Sequence, residues 1–348
     1  MRVLLTAPSS VARLHGLVPL GWALRTGGHE VQIAGRPRFT EEIIRTGFVA
    51  VAAGKDRPDA DADWLADPAA VADLVAYAER WTPDLVVWDE HAPAGAVAAR
   101  VTGAVAIRML SLGQDRAELR GLTPDETLPA GGVTLDCVPP SLRSTPGAEH
   151  LALRYLPYTG PAVVPSWLRR KPRRQRVYLT LADPADAPAA LFDAIAGLDV
   201  EVICSLPTGC VPAGARVPAN MRLFDSVPVN AVLATCIAVV HDGSPTTAIT
   251  ALAHALPQCV VADEDESSLA HRIAAQGAAV LAGRGDDAAT FAERIGLAVS
   301  GGAVREETER LHAEMSAMPS PHELLPDLVK IVARGPRPVA ESGVAAQI

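Results

Sequence analysis

The chain has 348 residues, 49% of them hydrophobic and 20% charged, enough apolar material for two domains of ordinary size and too much for one small domain. Its formal net charge of −9 supplies no basic field to gather phosphates along a nucleic acid, so a duplex-binding role is disfavoured. No apolar run approaches the roughly 20 residues of a membrane span, and the opening MRVLLTAPSS reads as a strand rather than a signal peptide, so a soluble, cytoplasmic protein is expected.

Short apolar runs alternate with helical patterns throughout, which is the mark of parallel βαβ units, and the expected class is α/β. In the first half the strands read Val3 to Thr6, Glu30 to Ala34, Leu85 to Trp88 and Val105 to Leu110. A helix from about Leu17 to Thr26 stops at the Gly27-Gly28 C-cap signal. Gly113 to Gly147 is rich in Gly, Pro and Thr, with a brief helical hint at Gln114 to Arg120, and is expected to be loop. The stretch RYLPYTGPAVVPSWLRRKPRRQRVYLTL packs prolines and basic residues ahead of a new strand and reads as a linker, with a boundary between Trp167 and Arg176. Further strands follow at Val177 to Leu181, Val200 to Ser205, Met221 to Phe224, Ile237 to His241, Gln258 to Val261 and Ala279 to Leu281. Residues 1–166 and 177–334 are thus two doubly wound, Rossmann-like units facing each other across a cleft, and 335–348 form an aperiodic tail expected to be mobile. Five cysteines in no CxxC pair are expected as reduced core residues, with neither metal nor disulfide.

One stretch of the second half carries chemistry. In VVHDGSPTTAITALAHALPQCVV a strand ends at His241, a small polar turn follows, and a helix begins. Ligands of open parallel sheets sit beyond the carboxyl ends of the strands, where the next helix leaves several N–H groups unpaired beside a partial positive charge. Gly243, Ser244, Thr246 and Thr247 therefore form a candidate diphosphate seat, to which His241 can donate a ring N–H. Asp242 suits an anion only if it points away or caps the helix. An ordinary βαβ turn has the same spacing, so the residues alone leave both readings open.

HDGSPTT resembles the donor-binding loop of family one glycosyltransferases of the GT-B fold, in their actinomycete antibiotic branch, with Asp242, Pro245 and Thr246 as departures. The likeness extends in order through GLVPLGWALRTGGHEVQIAG, PDLVVWDEHAPAGAVAARVTGA, FDSVPVNAVLATCIAVVHDGS and ALPQCVVADEDESSLAHRIAAQGAAV. It implies an N-terminal acceptor-binding domain and a C-terminal nucleotide-sugar domain. The sugar nucleotide, thymidine diphosphate-linked by this resemblance, is a substrate, and neither cofactor nor metal is implied. His241 and the loop after it would contact the diphosphate. Val227 and Pro228 would lie at the nucleobase, and Asp263, Glu266 and Ser267 at the donor sugar. A hydrophobic natural-product acceptor, a deoxysugar and inversion at the anomeric carbon are further implications, and a homodimer is compatible with them.

The resemblance also exposes a problem. An inverting transfer needs a base for the acceptor hydroxyl, and the family's usual histidine position holds Arg13, beside Gly16 on the acceptor side. Arginine stays protonated and cannot serve. Either His15 takes the task, or Asp89 or His91 does so with an acceptor that ionises easily, or the chain has lost transfer and acts as a binding or helper protein. A sugar-nucleotide epimerase of similar architecture is a third class. Relatives carry a longer segment where Gly113 to Gly132 stands, which argues for a different acceptor.

Overall fold

The computed structural model describes residues 1–56, 67–89, 91–110, 112, 133–143, 150–181, 188–206, 211, 214–262 and 268–335. The first unit alternates β1 (Arg2–Thr6), α1 (Val11–Thr26), β2 (Glu30–Gly35), α2 (Thr40–Arg45), β3 (Val49–Ala52), α3 (Pro68–Trp81), β4 (Leu85–Asp89), α4 (Ala94–Thr102) and β5 (Val105–Met109), then adds β6 (Val133–Asp136) and β7 (His150–Ala152). All seven strands are parallel, in the order β3-β2-β1-β4-β5-β6-β7. β4 is buried along its whole length, as a central strand covered on both faces must be.

The second unit holds β8 (Arg176–Thr180), α5 (Ala189–Ala196), β9 (Glu201–Ser205), β10 (Met221–Phe224), α6 (Val229–Leu233), β11 (Ala238–His241), α7 (Pro245–Ala253), β12 (Gln258–Val261), α8 (Leu269–Ala275) and β13 (Ala279–Ala282). Its parallel sheet runs β10-β9-β8-β11-β12-β13. Helices α9 (Ala288–Ser300), α10 (Gly302–Ala317) and α11 (Leu325–Arg334) complete the described chain. The last of these belongs spatially to the first unit: a methyl placed on Gly27, at the end of α1, would meet Leu325 at 2.8 Å. Arg154 N–H likewise donates to Pro319 O at 2.8 Å. The chain expected in the second unit through 334 therefore seats its closing helix on the first.

The basic linker is docked rather than loose. Trp167 stacks on Phe224 with ring centroids 4.8 Å apart, and the Arg222 guanidinium lies 4.8 Å over the same indole. Tyr155 reaches Thr250 at 3.0 Å, and Asn230 donates to Pro157 O at 3.0 Å. Buried residues of α1, β5, α7, α8 and α11 form one continuous apolar cluster. That shared core fixes the edges of the two sheets relative to each other.

Two features differ from expectation. β6 lies inside Gly113 to Gly147, the stretch expected to be loop, of which residues 113–132 and 144–147 lie outside the described residues. Helix α1 begins at Val11, a turn and a half before the expected Leu17, and carries Arg13, His15 and Gly16 with it. The tail beyond Gly335 also lies outside the described residues.

Candidate functional site

Each sheet has one point where the chain reverses its winding, between β1 and β4 and between β8 and β11. Crevices at such points bind ligands in open α/β sheets. A cavity of about 270 Å³ lies between them, lined from the first unit by Ser10, Arg13, Gly16, Leu17, Asp89, Met109, Leu110, Leu112, Cys137 and Tyr155, and from the second by Pro245 and Thr246. Its walls are mainly apolar with a few polar groups at one end, the usual make-up of a small-molecule site.

At the polar end, Asp89 closes β4 and is 4% exposed. It accepts the His91 backbone N–H at 2.8 Å and faces the Arg13 guanidinium at 3.4 Å. Arg13 in turn donates to His91 Nδ1 at 2.6 Å. The loop is pinned because α4 lies directly against β1: a methyl on Gly95 would stand 2.6 Å from Thr6 Oγ1 and 2.9 Å from Trp88 Cβ, and Thr6 donates to Ala92 O. Arg13, Asp89 and His91 are thus one cluster, with Arg13 and Asp89 facing the cavity. Gly16, one turn along α1, has no atom within 4 Å of the place a side chain would begin, so it opens the cavity floor.

His15 does not join that cluster. Residues two apart on a helix project about 200° apart, and its ring packs edge-on against Tyr158 of the linker with centroids 4.8 Å apart. Burial lowers its pKa, with the Glu42 charge pulling the other way. The expectation of His15 as base therefore meets a helix face turned toward the linker instead of a loop shifted into the cleft.

Across the cavity, β11 ends in His241, and Gly243 turns the chain at φ +87°, a left-handed conformation that favours glycine. Ser244 N-caps α7 by position, and Pro245 fills its first turn, where no N–H is needed. Asp242 Oδ1 accepts the Ser244 N–H at 3.2 Å, so its charge is drawn into the turn. The first-turn N–H groups of Thr246 and Thr247 have no partner in the preceding turn of helix, and Thr246 lines the cavity. Val227 and Pro228 follow β10 on the same sheet edge, Pro228 preceding α6. Asp263, Glu266 and Ser267 lie outside the described residues.

His241 is placed differently from the expected phosphate donor. It is 0% exposed. Its Nδ1 accepts the Gly243 N–H at 3.1 Å, which assigns the ring proton to Nε2, and Nε2 donates to Gln258 Oε1 at 2.8 Å. Burial lowers its pKa, against smaller upward pulls from the Gln258 hydrogen bond and Asp242. Neutral and internally satisfied, the ring props the Gly243 turn from beneath. Gln258, itself 0% exposed, passes the support to Ala248 O in α7 at 3.1 Å.

The geometry can be compared with known proteins. Family models for erythromycin biosynthesis protein CIII-like proteins match the chain, the N-terminal domain over residues 58–182 and the C-terminal domain over 189–331. The chain belongs to this family of glycosyltransferases. It is 32% identical to aclacinomycin-T 2-deoxy-L-fucose transferase of Streptomyces galilaeus, over 96% of each chain, and 31% identical to 10-deoxymethynolide desosaminyltransferase of Streptomyces venezuelae, over 98% of this chain and 100% of that one. The first alignment runs to 425 positions, longer than the 348 residues present here, so that relative carries segments this chain lacks. Among solved structures, glycosyltransferase VinC in complex with dTDP superposes with a TM-score of 0.84 at 30% identity, over 96% of this chain and 100% of that chain. The fold is GT-B, as expected. Among the described residues no helix is long and apolar enough to cross a membrane.

Gln258, Tyr155 and the apolar wall at Met109, Leu110 and Leu112 were not singled out from the sequence. Gln258 left a trace there: it is the one polar residue of the otherwise apolar, fully buried run QCVV.

Proposed function

We propose that this chain transfers a deoxysugar from a thymidine diphosphate sugar to a hydrophobic natural-product acceptor, with inversion at the anomeric carbon. The observation that carries the reading is a single cavity touching both the Arg13–Asp89 pair and Thr246 of α7. The acceptor lies over Gly16 and the apolar wall of Leu17, Met109, Leu110 and Leu112. The diphosphate lies at the Thr246 and Thr247 amides and hydroxyls, where a helix start favours anions. Val227 and Pro228 flank the nucleobase. Inversion requires attack from the face opposite the leaving diphosphate, and the two walls of the cavity supply opposite faces. The donor is supported by the dTDP in the VinC structure and the acceptor by aclacinomycin T and 10-deoxymethynolide, the compounds in the relatives' names.

The test is incubation with a thymidine diphosphate deoxysugar and a set of polyketide aglycones, followed by mass spectrometry and by NMR of the anomeric proton. Product with inverted configuration is expected. Donor consumed without acceptor would instead indicate an epimerase. Arg13, a cation where the reaction calls for a base, favours one second reading, a binding or helper protein, for which nucleotide binds and no aglycone is glycosylated.

A further inference from the structure

The described residues of the cavity wall include few groups able to take a proton. Among the described residues that line it, the ionisable ones are Arg13, Asp89, Cys137 and Tyr155. Burial pushes the Cys137 thiol up to about 12, helped by the Asp136 charge, and pushes the Tyr155 phenol up to about 12 against the Thr250 hydrogen bond. Both stay protonated at neutral pH and offer no base. His91 is not among the lining residues and its Nδ1 is taken by Arg13, and His15 faces Tyr158. There remain a guanidinium and the carboxylate that holds it. Arg13 also sits in the first turn of α1, which has no acidic residue of its own. A cation there opposes the helix dipole, and Asp89 offsets that cost while keeping the guanidinium at the cavity wall.

We propose that the acceptor is an acidic hydroxyl, a phenol or enol, that reacts as its oxyanion against Arg13. This rests on the transferase reading above and narrows it. The acceptor O–H gives its proton to solvent. The oxyanion, held by Arg13, forms a bond from oxygen to the anomeric carbon. The bond from that carbon to the diphosphate oxygen breaks, and its electron pair leaves with the diphosphate at the first turn of α7. Every charge is accounted for, and no neutral base is needed. An aliphatic alcohol, whose proton is held far more tightly, finds among the described lining residues only Asp89 to take it, and that carboxylate is already engaged by Arg13 and the His91 N–H.

The experiment measures thymidine diphosphate release from thymidine diphosphate glucose with phenols of graded acidity and with benzyl alcohols of matching shape, in the wild type, Arg13→Gln and Arg13→His. Calorimetry with thymidine diphosphate is run alongside. Phenols are expected to exceed benzyl alcohols by at least about 100-fold in kcat/KM, the scale on which general base catalysis operates. The pH midpoint should move with the acidity of the phenol used. Arg13→Gln should lower phenol turnover at least tenfold with nucleotide affinity unchanged, and Arg13→His should raise benzyl alcohol turnover by restoring a base. Equal use of both acceptor classes, a pH midpoint common to all phenols, or bound nucleotide with neither class glycosylated would overturn the proposal and leave the donor site standing. Absence of nucleotide binding would take down the transferase reading itself.

Discussion

Replacing Gln258 with leucine tests the role given to His241. The substitution keeps volume and removes both ends of the link between β11 and α7. The His241 ring then has no good state. With the proton on Nε2 it buries an unpaired donor, and with the proton on Nδ1 it sets N–H against the Gly243 N–H. Because the site is fully buried, the cost should be about 1–3 kcal/mol, read as a fall in unfolding free energy in urea. The turn that aims the Thr246 and Thr247 amides loosens with it. Thymidine diphosphate affinity should fall about tenfold, equivalent to ~1.4 kcal/mol. The double variant His241→Phe with Gln258→Leu makes both partners apolar and should regain part of the stability. A single variant within about 0.5 kcal/mol of wild type, the scatter of ordinary surface changes, or a double variant less stable than the single one, would refute the account of His241 as a prop.

Two further outcomes follow from the packing. Gly16→Leu adds a side chain where the helix has open space; helix stability should rise by about 0.5–1 kcal/mol, while acceptor turnover drops at least tenfold and calorimetric nucleotide binding stays unchanged. Asp67 caps α3 and pairs with the buried Arg36 at 3.1 Å, so Asp67→Asn should cost about 3–5 kcal/mol by leaving that cation without its carboxylate. Burial pushes the Asp67 carboxyl up, but Arg36 and the Lys55 and Ala69 backbone donors outweigh it and hold it below the usual range. Its contribution is therefore complete above about pH 4 and is lost as pH falls through the lowered value, an acid limb that the Asn variant should lack in pH-dependent denaturation.

Alternating apolar runs made the two sheets legible, because strands buried on both faces, such as β4 and β12, are nearly continuous apolar stretches. The short strands β6 and β7, the last two toward one edge of the sheet, have four and three residues and too little periodicity to stand out from a Gly- and Pro-rich stretch. Gly16 and Pro19 disguised the first turns of α1, and with its true start hidden, Arg13 and His15 read as neighbours at one site. Helical geometry separates them. The position of His241 at a strand end was readable, but the direction of its ring depends on Gln258, seventeen residues away and adjacent only once β11 pairs with β12. The return of α11 to the first unit is a contact between chain ends that no local pattern encodes.

Entry of a sugar nucleotide at the first turn of α7 is open to calorimetric titration with thymidine diphosphate, with uridine diphosphate in parallel. Micromolar binding is expected, favouring thymidine and weakening at least tenfold in a Thr246→Val, Thr247→Val variant, which removes the hydroxyls and leaves the helix intact. No binding of either nucleotide, or binding indifferent to that variant, would contradict it.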